Sequence, residues 1–571
     1  MTEGRLPVVF LWHMHQPPYR DALSGRYILP WTYLHAIKDY TDMAAHLEAQ
    51  PGAKAVVNFT PVLIEQIEEL AARVQESLAG GRPPPDALLA TLSGEPLPAE
   101  EAQRLALLRA CLKADATHLI GRHPRFGELA AIAATVGTPE LISYVSDAFL
   151  HDLSMWYHLA WLGESVRRGD ARVAQLADKG RGFGAADRRL LLELIGELLS
   201  GILPRYRRLA DAGRCELAVS PYSHPILPLL IDFGAARESE PHAALPLYSS
   251  YPGGAARATW HMEEALRCFE RVFGRRPRGC WPSEGAISNA AVDAIDAAGF
   301  DWFATSAGVL RGSLEKSDIA IADEPAAQER QLNRAHALPG RRVAGFFRQE
   351  MLSDLIGFTY SKWHGDDAAA HFVGELEAVE VRTRGEPGRV LLVALDGENA
   401  WEHYPFNGHY FLSALYASLA AHARLRMATL AEVVDEQRAA QLAPVSLPQV
   451  RAGSWVYGTL STWMGDADKN RGWDLLCEAK LAFDQAVAAG RLAAADLERA
   501  TRQLAACEAS DWFWWFGDYN PSGAVRDFDE LYRHQLASLY RALGLDPSAA
   551  LEQPISVGRG EPEGGGVMRR A

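Results

Sequence analysis

Seven short runs rich in β-branched and other apolar residues limit the fold of this chain more than any other feature. They are VVFLW at 8–12, AVVNF at 55–59, CELAV at 215–219, RGCW at 278–281, DWFAT at 301–305, VAGFF at 343–347 and VLLVAL at 390–395. Long helical patterns such as 186–212 and 288–299 separate them, which predicts a largely parallel sheet with helical crossovers. Polar motifs sit at the carboxyl ends of several of these strands. That arrangement points to a closed or nearly closed β/α barrel, with the active site on the face where the strands end.

At 571 residues the chain exceeds the roughly 250–300 that one hydrophobic core usually serves. We expect a barrel domain over 1–420. The stretch 61–213, with LLRACLKADATHLI and LLLELIGELLSGILPRY, is too long for one crossover and is read as a helical insertion over the barrel mouth or on its flank. A helical C-terminal domain over 421–550 is expected to contribute to the cleft, and the Gly/Pro-rich 551–571 to be a disordered tail.

A net charge of −15 without clustered basic residues argues against a nucleic-acid partner. The apolar run near the N-terminus is broken at once by His13 and His15, so neither an export signal nor a membrane span is expected. The six cysteines are widely spaced and lack CxxC pairs, which fits a reducing, cytoplasmic setting.

The chemistry concentrates at strand ends. After the first strand comes HMHQPPY, 13–19, where alternation puts His13 and His15 on one side of an extended backbone, with the Gln16 amide beside them. An isolated pair of this kind more often sits at the edge of a core beside a Pro-Pro turn; it is also a half-site for a metal, although Asp21 is the only carboxylate close by. In SPYSHPILPLL, 220–230, His224 precedes Pro225, which predicts an extended backbone holding the ring out of any helix. RGCWPSEGAIS, 278–288, ends a strand on Trp281, a flat apolar face on which a sugar could stack, and follows it with Glu284. The fully apolar strand at 390–395 ends in Asp396, Gly397, Glu398 and Asn399 ahead of an amphipathic helix, which rules out a hairpin turn. Two strand-end carboxylates, Glu284 and Asp396, suggest the acid and nucleophile of a retaining glycosidase. Two later runs, GSWVYGTLSTWMGD and SDWFWWFGDYNPSG, set tryptophan beside glycine and aspartate. With 15 Trp against 20 Phe and 18 Tyr, some of these are read as carbohydrate platforms and the rest as core.

Taken in order, HMHQPPY, ELAVSPYSHPILP, CWPSEGAIS, ALDGENAWEHY and GSWVYGTLSTWMGD resemble the five short regions by which glycoside hydrolase family 57 is recognised. The resemblance runs from about His13 to Asp466 and implies an incomplete (β/α)7 barrel followed by a helical segment. It also implies retaining chemistry on α-glucans and no cofactor or required metal. Carried over position by position, it implies that Glu284 is the nucleophile and Asp396 the general acid/base. His13, His15, Gln16, His224, Trp281, Trp401, Trp455 and Trp463 are then expected to bind substrate. The serine of WPSE departs from the small or acidic residue of many members, which bears on subtype.

The resulting expectation is a retaining hydrolase of starch, glycogen or maltooligosaccharides, because ENAWEHYPFNG is similar to the α-amylase and amylopullulanase branch. A 4-α-glucanotransferase or branching enzyme would use the same pair. Two other classes would read the residues differently: a metal-dependent hydrolase or deacetylase with His13 and His15 as ligands, or a noncatalytic glucan-binding protein.

Overall fold

Each of the seven apolar runs is a strand in the computed structural model, which describes residues 4–22 and 24–560. The strands are β1 (Leu6–Met14), β2 (Ala55–Phe59), β3 (Cys215–Val219), β4 (Gly279–Cys280), β5 (Trp302–Ser306), β6 (His336–Ala337), β7 (Ala344–Arg348), β8 (Leu391–Asp396), β9 (Leu425–Met427) and β10 (Val445–Ser446). Their order is β10-β6-β7-β5-β4-β3-β2-β1-β8, with β9 also on β1. All pairings are parallel except β6 on β7. Every residue of β1 is buried, as expected of a strand covered on both faces.

The barrel is incomplete because, among the described residues, no ladder joins β7 to β8. Individual hydrogen bonds cross that gap instead. The Gln349 N–H donates to Leu392 O at 2.8 Å, Arg348 Nη1 donates to Ala394 O at 3.0 Å, and the Ala394 N–H donates to Ser353 Oγ at 3.3 Å. The sheet takes up β9 and β10 after residue 420, so the boundary expected at 420 falls within the sheet's own span of sequence. Both β6 and β10 have two residues, too few to leave a pattern in the sequence.

The stretch 61–213 is helical. Its first and last long helices, Pro61–Leu78 and Ala185–Asp211, pack on each other, and the second also packs on β3. The C-terminal helices Ala467–Ala488, Ala494–Cys507 and Ser522–Ala542 pack on one another, and Glu508 at the end of the second is tied to the helix Gly254–Phe273 by a buried ionic cluster. Glu508, 0% exposed, accepts hydrogen bonds from Tyr251 Oη at 2.6 Å, Arg257 Nη2 at 2.6 Å and His261 Nε2 at 2.7 Å. Burial alone would raise its carboxyl pKa, but Arg257 and His261 reverse the effect and bring it down to about 2.

Of the tail expected over 551–571, residues 551–560 are docked. Ile555 and Ser556 donate their backbone N–H groups to Asp529 Oδ1 at 2.7 and 3.1 Å. Residues 561–571 lie outside the described residues. The six cysteines are buried free thiols. Among the described residues, no helix is long and apolar enough to cross a membrane.

Candidate active site

Strand register builds the floor of the site. His13 on β1 pairs with Asn58 on β2 on one side and with Asp396 on β8 on the other, so these three residues stand level at the carboxyl ends of neighbouring strands. Partners in register on parallel strands point the same way. His13 Nδ1 accordingly meets Asn58 Oδ1 at 2.6 Å. Asn58 Oδ1 also accepts from Ser220 Oγ at 3.0 Å, which makes His13 Nδ1 the donor and leaves Nε2 as a lone pair. The chain then turns sharply after Asp396. A Cβ on Gly397 would lie 2.2 Å from Met14 Sδ, so a larger residue there would have to displace the Met14 side chain.

A cavity of about 660 Å³ opens above this floor, within the usual range for small-ligand sites. Glu284 and Asp396 both line it. Glu284 sits in the short helical turn Ser283–Gly285 with φ of 57°, a left-handed conformation that a glutamate adopts only at some cost. Its position is fixed by Trp455, whose Nε1 donates to Glu284 Oε2 at 2.9 Å and whose backbone N–H donates to Glu284 O at 3.1 Å. His224 Nδ1 lies 3.9 Å from Glu284 Oε1. Across the cavity, burial pushes the Asp396 carboxyl up to about 6. A hydrogen bond from Asn399 Nδ2 to Oδ2 at 2.8 Å and the positive charges of His15 and Arg348 oppose the rise. Burial is the main cause.

Three imidazoles stack beside the pair, with ring centroids 5.8 Å apart for His13 and His15, 5.0 Å for His13 and His224, and 3.9 Å for His15 and His224. Burial, then the charge of His15, lowers His13 to about 3, and burial with the other two rings drives His224 well down. Both are neutral at ordinary pH. Three residues that line the cavity carry a buried polar atom without a partner: His13 Nε2, Glu398 Oε2 and Asp511 Oδ2. Buried polar atoms are rarely left so, because each costs about 1–3 kcal/mol. A polyhydroxylated ligand would satisfy such a ring.

His224 departs from its expected geometry. It is not extended but has φ of 63°, despite the proline that follows. Long-range bonds hold it there: the Ser510 N–H donates to His224 O at 3.0 Å, and Ser510 Oγ lies 2.9 Å from His224 Nδ1. The neighbouring Asp511 accepts from His15 Nε2 at 2.9 Å, while His15 Nδ1 meets Thr60 Oγ1 at 3.0 Å. His15, His224 and Asp511 bring ligand-type atoms within 4.8 Å of one another. Among the described residues this is the grouping that could hold a metal, rather than His13 with His15.

The other expected residues divide. Gln16 and Trp455 line the cavity. Trp281 lies against Trp455 and His13 with no exposed surface and, like His224, does not line the cavity, so it packs behind the site and offers no stacking face. Trp401 and Trp463 are core residues away from the main cavity: Trp401 donates to Gly397 O at 2.9 Å and packs its edge on Trp12, and Trp463 lies against Trp514. Aromatic lining comes instead from Trp31, Trp514, Trp515, Tyr519 and Phe528. The residues that sequence reasoning passed over are Asn58, Thr60, Arg348, Glu398, Ser510 and Asp511. Ser510 and Asp511 lie in SDWFWW, a run noticed for its tryptophans. Arg348 stacks on Trp455 at 4.9 Å and so braces the indole that holds Glu284.

Residues 9–448 match the family model of Glycosyl hydrolase family 57. Solved structures with a similar fold include a GH57 branching enzyme from Thermococcus kodakaraensis, at 16% identity and a TM-score of 0.57 over 94% of this chain and 90% of that one. The alpha-amylase AmyC from Thermotoga maritima matches at 14% identity and 0.56 over 95% and 94%. A 4-alpha-glucanotransferase from Thermococcus litoralis matches at 14% identity and 0.50 over 94% and 60%.

Proposed function

Because the chain belongs to glycoside hydrolase family 57, we propose that it is a retaining enzyme of α-glucans with Glu284 as nucleophile and Asp396 as general acid/base. The supporting observation is a single cavity lined by both carboxyls and surrounded by buried polar atoms that lack partners. Glu284, its Oε2 held by Trp455, attacks the anomeric carbon while protonated Asp396 gives its proton to the leaving glycosidic oxygen. A β-linked glycosyl-enzyme results. Asp396 then takes a proton from the acceptor, and the second inversion restores the α configuration. Burial of Asp396 supports its first role, since a carboxyl titrating at about 6 is protonated far more often near neutrality than an ordinary aspartate. Neutral His13 offers its Nε2 lone pair to a sugar hydroxyl.

Water is the proposed acceptor, on the likeness of ENAWEHYPFNG to the amylase branch. Transfer to a second sugar is the companion reading, supported by the branching enzyme and glucanotransferase among the similar folds. A cytoplasmic setting belongs to the same proposal and is supported by the free thiols. So does a C-terminal helical domain, beginning after β10 rather than at 421, that lends Ser510 and Asp511 to the cleft.

The test is product profiling on starch, glycogen, pullulan and a short maltooligosaccharide, with Glu284→Gln as control. Shorter products alone mean hydrolysis, and longer ones as well mean transfer. The Gln variant is expected to keep its fold and lose turnover by several orders of magnitude. Near-normal turnover in that variant, or activity that disappears on chelation and returns with added metal, would sink the mechanism.

A further inference from the structure

Two residues past Asp396, Glu398 lines the same cavity and is 2% exposed. Its two oxygens have different surroundings. Oε1 accepts from the backbone N–H of His15 at 3.2 Å and from Gln16 Nε2 at 3.2 Å. Gln16 is itself held by Tyr19, whose hydroxyl donates to Gln16 Oε1 at 3.0 Å. Oε2 is buried without a hydrogen bond of ordinary geometry, and the Tyr40 hydroxyl is the polar group of the protein near this carboxyl. In an ionised carboxylate that oxygen would carry charge with only the Tyr40 hydroxyl near it, a loss of several kcal/mol. In a neutral carboxyl the proton cannot sit on Oε1, because both neighbours there are donors. It belongs on Oε2, where it makes Glu398 a hydrogen-bond donor.

We propose that Glu398 is a substrate-binding acid, which secures the His15–Gln16 turn with one oxygen and, as a neutral carboxyl, donates from the other to a hydroxyl of the sugar held beside Asp396. The inference rests on the α-glucan reading above and adds to it a named donor. Burial, followed by the charges of Asp396 and Asp39, favours the neutral form. The donor also complements the floor: His13 Nε2 can only accept, and a hydroxyl group can donate to one while accepting from the other.

The test measures maltohexaose binding by calorimetry in a Glu284→Gln background, where turnover does not interfere. Adding Glu398→Ala is expected to weaken binding about tenfold or more. Adding Glu398→Gln is expected to recover most of that loss, because its carbonyl accepts as Oε1 does and its amide N–H donates from the place of Oε2. Melting curves on the same samples separate a folding defect from a binding one. If Glu398→Ala does not fold, the infrared difference spectrum of wild type minus Glu398→Gln at neutral pH decides: an acid C=O band supports the proposal, and carboxylate bands alone overturn it.

Two binding patterns also overturn it. Gln as weak as Ala would mean that charge is required and not a donor. Ala as tight as the parent would mean that the proton is used within the protein, for instance by the nearby Tyr40 hydroxyl. If the parent binds no maltohexaose, the glucan reading and this one fall together. If it binds and the Ala/Gln pattern fails, only the role of Glu398 falls.

Discussion

Asn399→Ala is expected to shift the working pH range of the enzyme without touching either proposed catalytic carboxyl. The Asn399 amide donates to Asp396 Oδ2 at 2.8 Å and stabilises the ionised form, so it pulls down a carboxyl that burial has raised to about 6. A hydrogen bond to a charged group is worth about 1.5–3 kcal/mol, or roughly 1–2 pKa units at 1.36 kcal/mol each. Asp396 is only partly shielded from the cavity, and water would replace some of the lost bond, so about one unit remains. The sign follows directly: losing a donor to the carboxylate favours the protonated acid. The alkaline limb of kcat/KM, which reports the acid of the free enzyme, should therefore move to higher pH by about one unit, with the acid limb unchanged. A pH series on one maltooligosaccharide measures both limbs. An alkaline limb that stays in place, or moves toward acid, would refute the assignment of Asp396 or the role given to its neighbour.

Asp396→Asn should raise stability while removing activity on polysaccharide. A folded-state pKa near 6 against an ordinary 3.8 means that ionising this residue in place costs about 1–3 kcal/mol. That cost is fully present above the folded pKa and absent below the unfolded one, so the gain in melting temperature should appear at neutral pH and vanish near pH 3.8. An equal gain at both would contradict the burial argument. Glu508→Gln should do the reverse. Its folded pKa of about 2 lies below the ordinary 4.5, so it contributes about 3 kcal/mol that is present above pH 4.5 and lost as pH falls through 2. Denaturant titrations at neutral and acid pH should show the deficit of the variant closing as pH falls, and a constant deficit would refute the linkage.

The barrel strands were legible because strands buried on both faces read as unbroken apolar runs; the strand-end motifs gave the two carboxyls, His13, His15 and Gln16 of the cavity, and the later run GSWVYGTLSTWMGD gave Trp455. What stayed hidden depends on distance along the chain or on backbone strain. Nothing local marks Ser510 as the partner of His224, or Asp511 as that of His15 across 496 residues. The positive φ of His224 runs against its Pro225, and only the tertiary bonds to Ser510 explain it. Glu398 could have been singled out as a carboxylate in an apolar setting, but its split surroundings exist only once the HMHQ turn has folded over it. Trp401 and Trp463 misled because a large aromatic ring fills a core as readily as it lines a cleft.

The dependence of His15 and His224 on Ser510 and Asp511 also bears on synthesis and turnover. Ribosomes release the barrel strands long before the SDWFWW segment emerges, so a nascent chain would carry both proposed catalytic carboxyls with its histidines still unbraced. Removal of the chain from Ser510 onward would leave the same half-finished pocket. Glucan chemistry would then switch on only when the final helices arrive, and intact C-terminal helices would serve as the molecule's own certificate of completion.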